Sequence, residues 1–179
     1  MPNQLQARAG SVLDAERFAV APVERWSYPE PIARQRAGTR LGAVLYALRH
    51  GDGSSHVLYG LYSRDPATES WIEFALGGSP WFVEGFRQPA WHGEQPLLEW
   101  SAMSSTHGGD WGDELIRLIP GRVVEGVSAL AVLEDGREAS CEISSLGTFI
   151  VLSVSRPGSP PPRLRVRRGD RETTVDVSG

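Results

Sequence analysis

The sequence contains no lysine: all 18 basic residues among its 179 are arginine, and asparagine occurs once, at Asn3. Lysine and asparagine use AT-rich codons, whereas arginine, glycine, alanine and proline use GC-rich ones. Coding bias therefore accounts for the missing lysine before any function does. The one cysteine, Cys141, excludes an internal disulfide and a cysteine-based zinc site. In "EASCEIS" it alternates with polar neighbours, as Ala139 and Ile143 do, which is the pattern of a small buried apolar residue. Long apolar runs are also missing. No window approaches the run of about 18 apolar residues that would suggest a membrane span. Asp14, Glu16 and Arg17 interrupt the N-terminus before it reaches a signal-peptide core. A cytoplasmic protein without membrane contact is expected. The chain has no Gly-x-Ser-x-Gly elbow, P-loop, dinucleotide fingerprint or His-Glu-x-x-His, so the familiar catalytic signatures are absent and no cofactor is implied.

The residues that are present describe a globular protein. Hydrophobic residues make up 40%, charged residues 22%, and the net charge is −4. A chain of this length fits one large domain or two small ones and can bury a real core. Near the start, Ser11 is placed to cap a short helix, with Asp14 three residues on and Val12, Leu13 and Phe18 as its apolar side. "APVERWSYPEPIARQRAGTR" then holds three prolines and no steady period, so it reads as an extended arm anchored by Trp26 and Tyr28.

From Leu41 the pattern becomes that of strands. "LGAVLYALRH" and "HVLYGLYSR" flank the glycine-bearing loop "GDGSS", and both are apolar on two faces, as strands between layers are. "SWIEFAL", "PLLEWSAMS" and "ELIRLIPGRVV" follow. "VSALAVLEDGREASCEIS" is a hairpin turning at Asp135-Gly136, "GTFIVLSVS" is a further strand, and "RLRVRRGDRETTVDV" is a closing hairpin turning at Gly169-Asp170. About ten short strands with regular turns and almost no helical period predict an all-β fold. The expected form is an antiparallel β-sandwich, as one body or two packed β units, with a short N-terminal helix and an extended arm. The organisation expected is an arm over 1–39, a Trp-rich β unit over 40–119 and a second β unit over 120–179. All six tryptophans precede that boundary.

The segment from Ile119 to Val177 resembles immunoglobulin-like or fibronectin-like β-sandwich segments of uncharacterised proteins from GC-rich bacteria. The matching elements are the turn at Asp135-Gly136, the strand centred on Phe149 and the hairpin at Gly169-Asp170. The resemblance implies an immunoglobulin-like β unit and no particular activity.

The candidate site is "GGSPWFVEGFRQPAWHGE", residues 77–94. Trp81, Phe82, Phe86 and Trp91 lie among glycine and proline, with Arg87 and His92 beside them. Rigid aromatic rings on loops make contact surfaces for proteins and for sugars. The alternative is a lid folded back over the core. Three functions follow: a non-enzymatic binding or assembly protein that contacts a protein partner, a carbohydrate-binding module, or a hydrolase or isomerase using His92 with Glu84 or Glu94. The first is the leading expectation.

Three other features have plain structural readings. His107, Asp110, Asp113 and Glu114 in "THGGDWGDE" offer metal-ligand types at no recognised spacing, and aspartate and glycine populate turns for conformational reasons, so no metal site is expected. Arg163, Arg165 and Arg167 alternate along one strand face, with Glu172 and Asp176 on the adjoining strand to pair with them. In an acidic chain without a nucleic-acid module, that face is a solvated edge and no nucleic-acid partner is expected. "PGSPPP" reads as a stiff surface loop.

Overall fold

The strand β2 (Leu41–Arg49) is buried along both faces for most of its length, because a layer covers each side of it. The computed structural model describes residues 2–49, 52, 54–79, 88–100, 103–107 and 112–177. Within them lie twelve strands in three antiparallel sheets, with one α-helix, α1 (Pro2–Asp14). The all-β expectation holds. That helix is not long and apolar enough to cross a membrane.

Sheet A has the order β1 (Glu30–Ala37), β2, β3 (Ser55–Arg64), β4 (Trp71–Ser79). Sheet B has β10 (Thr148–Ser155) beside β7 (Leu115–Val123), and β7 also pairs with the short strands β5 (Leu98–Trp100) and β6 (Ser104–His107). Sheet C has the order β12 (Arg171–Asp176), β11 (Arg163–Arg168), β8 (Val127–Glu134), β9 (Arg137–Cys141).

Alternation along the strands stacks these layers. Leu41, Ala43, Leu45 and Ala47 of β2 meet Ile116, Leu118, Ile150 and Leu152 of sheet B in one core. Ile119, Phe149 and Val151, on the opposite face of sheet B, meet Leu130, Val132, Leu164 and Val166 of sheet C in a second. The even-numbered residues Val44 and Tyr46 face α1, which contributes Ala9, Val12 and Leu13 to a third cluster. Four layers result: helix, sheet A, sheet B, sheet C. Glycine makes two of the approaches possible. A Cβ at Gly42 would meet the Leu13 side chain at 2.6 Å, and one at Gly121 would run into the Phe149 ring and the Glu99 carbonyl oxygen.

The helix differs from the sequence reading. It begins at Pro2, a residue suited to a first helical turn because its missing N–H would be unsatisfied there anyway. Ser11 lies inside it and its hydroxyl donates back to the Arg8 carbonyl at 2.9 Å, so it is no cap. Phe18 lies beyond its end. The C-terminal turn is closed from sheet A instead. Arg34 of β1 donates to the carbonyls of Val12 (2.5 Å) and Ala15 (2.6 Å), and Arg36 to that of Leu13 (3.2 Å). Cations at this end also oppose the negative pole of the helix.

Part of the expected arm is β1, residues 30–37, in full register with β2 apart from a bulge between Pro31 and Ala33. Trp26 and Tyr28 do anchor the segment before it: their rings meet edge-on at 5.9 Å and pack against the first core. The Asp135-Gly136 turn is as expected, with φ of 49° and 74°, the left-handed pair that a two-residue hairpin requires. Strand β7 runs through residues 119 and 120, and its side chains enter both cores.

Candidate functional site

Strand β4 carries the chain into the 77–94 segment, and it is an edge strand of sheet A. Its inner side is occupied: Trp71 is 3% exposed, its indole N–H donates to Asp14 at 2.9 Å, and the Arg64 guanidinium lies 5.6 Å from its ring. Ala75 packs against the first core, but three larger apolar side chains of the strand are left partly open. Ile72 is 43% exposed, Phe74 37% and Leu76 43%. Among the described residues these are three of the four large hydrophobic side chains left open to solvent, the other being Val23. A bulge falls at Phe74, since Leu61 pairs with Ala75 and Tyr62 with Glu73. It bends the edge and puts Ile72 and Leu76 on opposite faces of the sheet.

Trp81, Phe82, Phe86 and Arg87 lie outside the described residues, as do Glu84, Asp110 and Trp111. Beyond them, residues 88–97 are laid against the β7–β8 junction. Gln88 donates to the Val124 carbonyl at 3.0 Å, Glu125 N–H to Pro89 at 2.8 Å and Val124 N–H to Leu97 at 3.0 Å. Trp91 is half-buried against the second core. The guanidinium of Arg168 lies 4.0 Å from its ring centre, held there by a 2.8 Å bond to the Glu125 carbonyl. Its indole nitrogen is enclosed and has no hydrogen-bond partner among the described residues. His92, by contrast, is exposed. Among the described residues no side-chain hydrogen bond or ion pair joins His92 to Glu94; their contact is a backbone bond, Glu94 N–H to His92 carbonyl at 2.6 Å. The structure thus places Trp91 and His92 on adjacent positions with opposite environments. The partnership with Arg168 had no local signal, since 77 positions separate the two residues.

The sequence matches no family model and no curated protein. Among solved structures it is similar to one titled "Crystal structure of MHC-like MILL2", at 15% sequence identity and a TM-score of 0.30. That match covers 76% of this chain and 66% of the other, just under two thirds of its length. An overlap of this size assigns neither a topology nor an activity.

The remaining candidates are accounted for locally. On the outer face of sheet C, Arg165 pairs with Glu138 and lies 3.9 Å from Glu172, and Arg167 lies 3.6 Å from Glu172. The ladder is a mixed-charge surface, as the cross-strand acids suggest. Burial pushes the Cys141 thiol up to about 12, so it is inert near neutrality. Among the described residues no group of three or more His, Cys, Asp and Glu is placed to hold a metal. The loop at 157–162 is fastened from beneath by Arg117, which donates to the Ser159 and Pro160 carbonyls. Arg117 also binds Glu134 at 3.1 Å and Ser155 at 2.9 Å, and the Ser153 hydroxyl donates to the second Glu134 oxygen at 2.6 Å. Sequence reading passed over this network because its members are spread over three strands.

Proposed function

We propose that the protein is a non-enzymatic binding or assembly protein that contacts a protein partner through the edge of β4 and the 77–94 segment that follows it. One observation carries this reading: Ile72, Phe74 and Leu76 are left in water on a single edge strand that leads into the aromatic segment. Apolar side chains left open along one edge, on both faces of the sheet, are available to a partner that docks onto that edge. An edge strand also offers unpaired main-chain donors and acceptors, a common basis for strand addition by a partner.

The test is comparative capture of partners from the source organism by the intact protein and by an Ile72→Ser/Phe74→Ser variant. The reading expects a defined partner held by the first and lost by the second, with thermal unfolding of the two alike. Equal capture by both proteins removes β4 from the interface.

A further inference from the structure

The three sheets each leave an edge strand on one side of the molecule: β1 for sheet A, β10 for sheet B and β9 for sheet C. A groove of about 800 Å³ runs between them, in the range of small-molecule sites. Each edge sends one arginine to its lining. Arg36 comes from β1, Arg137 from the start of β9 and Arg156 from the residue after β10.

The charges in the groove differ in how far they are engaged. Glu134 stands opposite Arg137 across the β8–β9 hairpin, so the two share the inner face of sheet C. Yet Glu134 is turned to other partners: Arg117 holds one oxygen at 3.1 Å and Ser153 the other at 2.6 Å. Arg137 and Arg156 make no ion pair with any described residue, and Arg36 gives one N–H to Leu13. Ser155, buried on the groove floor, accepts from Arg117 at 2.9 Å and keeps its own proton to donate. Glu114 and Asp135 also line the groove. Net field alone therefore does not select an anion. Forked, directional hydrogen bonds do, and guanidinium groups supply them to carboxylate and phosphate oxygens.

We infer that this groove binds a small organic molecule bearing an oxyanion, clamped between Arg137 and Arg156 and reached at its base by Ser155. Unpaired surface arginines are ordinary. Their convergence from separate sheets on one concave site with a buried polar floor is what distinguishes this place.

Calorimetric titration of the full chain at low ionic strength, with inorganic phosphate in one arm and citrate in the other, tests the inference. Saturable binding is expected in at least one arm, and the stronger arm identifies the oxyanion. Arg137→Gln and Arg156→Gln should each weaken it by about tenfold, the loss of one charge-assisted bond. Arg25→Gln and Arg171→Gln, made singly, each remove the same charge elsewhere on the surface and should leave binding unchanged. No saturable heat in either arm, or equal weakening by the control pair, overturns the inference. Because all four positions are exposed or unpaired, matched unfolding curves will show that the variants fold.

Discussion

Replacing Arg34 with methionine tests how the helix is held to the sheets. The side chain of Arg34 is 8% exposed and donates to Val12 and Ala15 at the end of α1, to Glu142 at 2.9 Å, and lies 5.6 Å from the Phe18 ring. Methionine keeps most of the apolar stem but none of the donors. Each bond from a charged donor to a carbonyl contributes about 1.5–3 kcal/mol, and water can replace part of it at the half-buried Ala15 carbonyl. The Glu142 partner is 41% exposed, so that ion pair adds only about 0–1 kcal/mol. The variant should therefore lose roughly 3 kcal/mol, a large share of a typical domain's stability of about 5–15 kcal/mol. Urea unfolding followed by tryptophan fluorescence is the assay, because Trp71 is tied to the helix through Asp14. Glu142→Gln, measured beside it, should cost under about 1 kcal/mol. Equal losses for the two variants, or a negligible loss for Arg34→Met, would refute the idea that β1 caps the helix.

Other expectations are briefer. The Cys141 thiol, buried and pushed up to about 12, should resist a thiol reagent in the folded protein and react at once in denaturant; fast reaction of the native chain contradicts the burial. Tyr46 and Tyr62 share a 2.9 Å hydroxyl contact beneath α1, and burial pushes Tyr62 up to about 12 and Tyr46 higher still. The unfolded chain releases these protons near pH ~10, where the folded chain retains them, so stability is undiminished below that pH and falls as pH rises above it. Phenolate absorbance should show those two rings ionising only with unfolding. Gly121→Ala would press a methyl group into the Phe149 ring and lie 2.6 Å from the Glu99 carbonyl oxygen, so chemical denaturation should report a loss of about 1–3 kcal/mol or more.

Much of the architecture was legible because it is local. Asp135-Gly136 announces a hairpin, since few residues other than glycine, asparagine and aspartate accept the conformation that the turn needs. The two-sided apolarity of 41–47 correctly implied a strand between layers. Strand β1 was not legible. Its sequence, "EPIARQRA", carries two arginines and no clean alternation, and Arg34 is buried only because a helix end supplies its acceptors from 18 to 22 positions away. Ser11 misled for the opposite reason: a good capping residue sat where the helix was already under way. At the site, aromatic loop composition drew attention to 77–94, while the open side chains of Ile72 and Leu76 were hidden by a strand pattern that looks equally natural for a buried edge. Which strand lies at an edge is decided by topology, and topology is not written in any short window.

Sheet B is covered on both faces along most of its two long strands, and that position has a price for the chain's divisibility. Cutting the polypeptide near its middle would part the helix and sheet A from sheets B and C, opening the core between A and B and leaving each fragment with a bare hydrophobic flank. The first and second halves should therefore melt in a single event, and the first, which keeps only one wall of its main core, should not be recoverable as an independent folding piece.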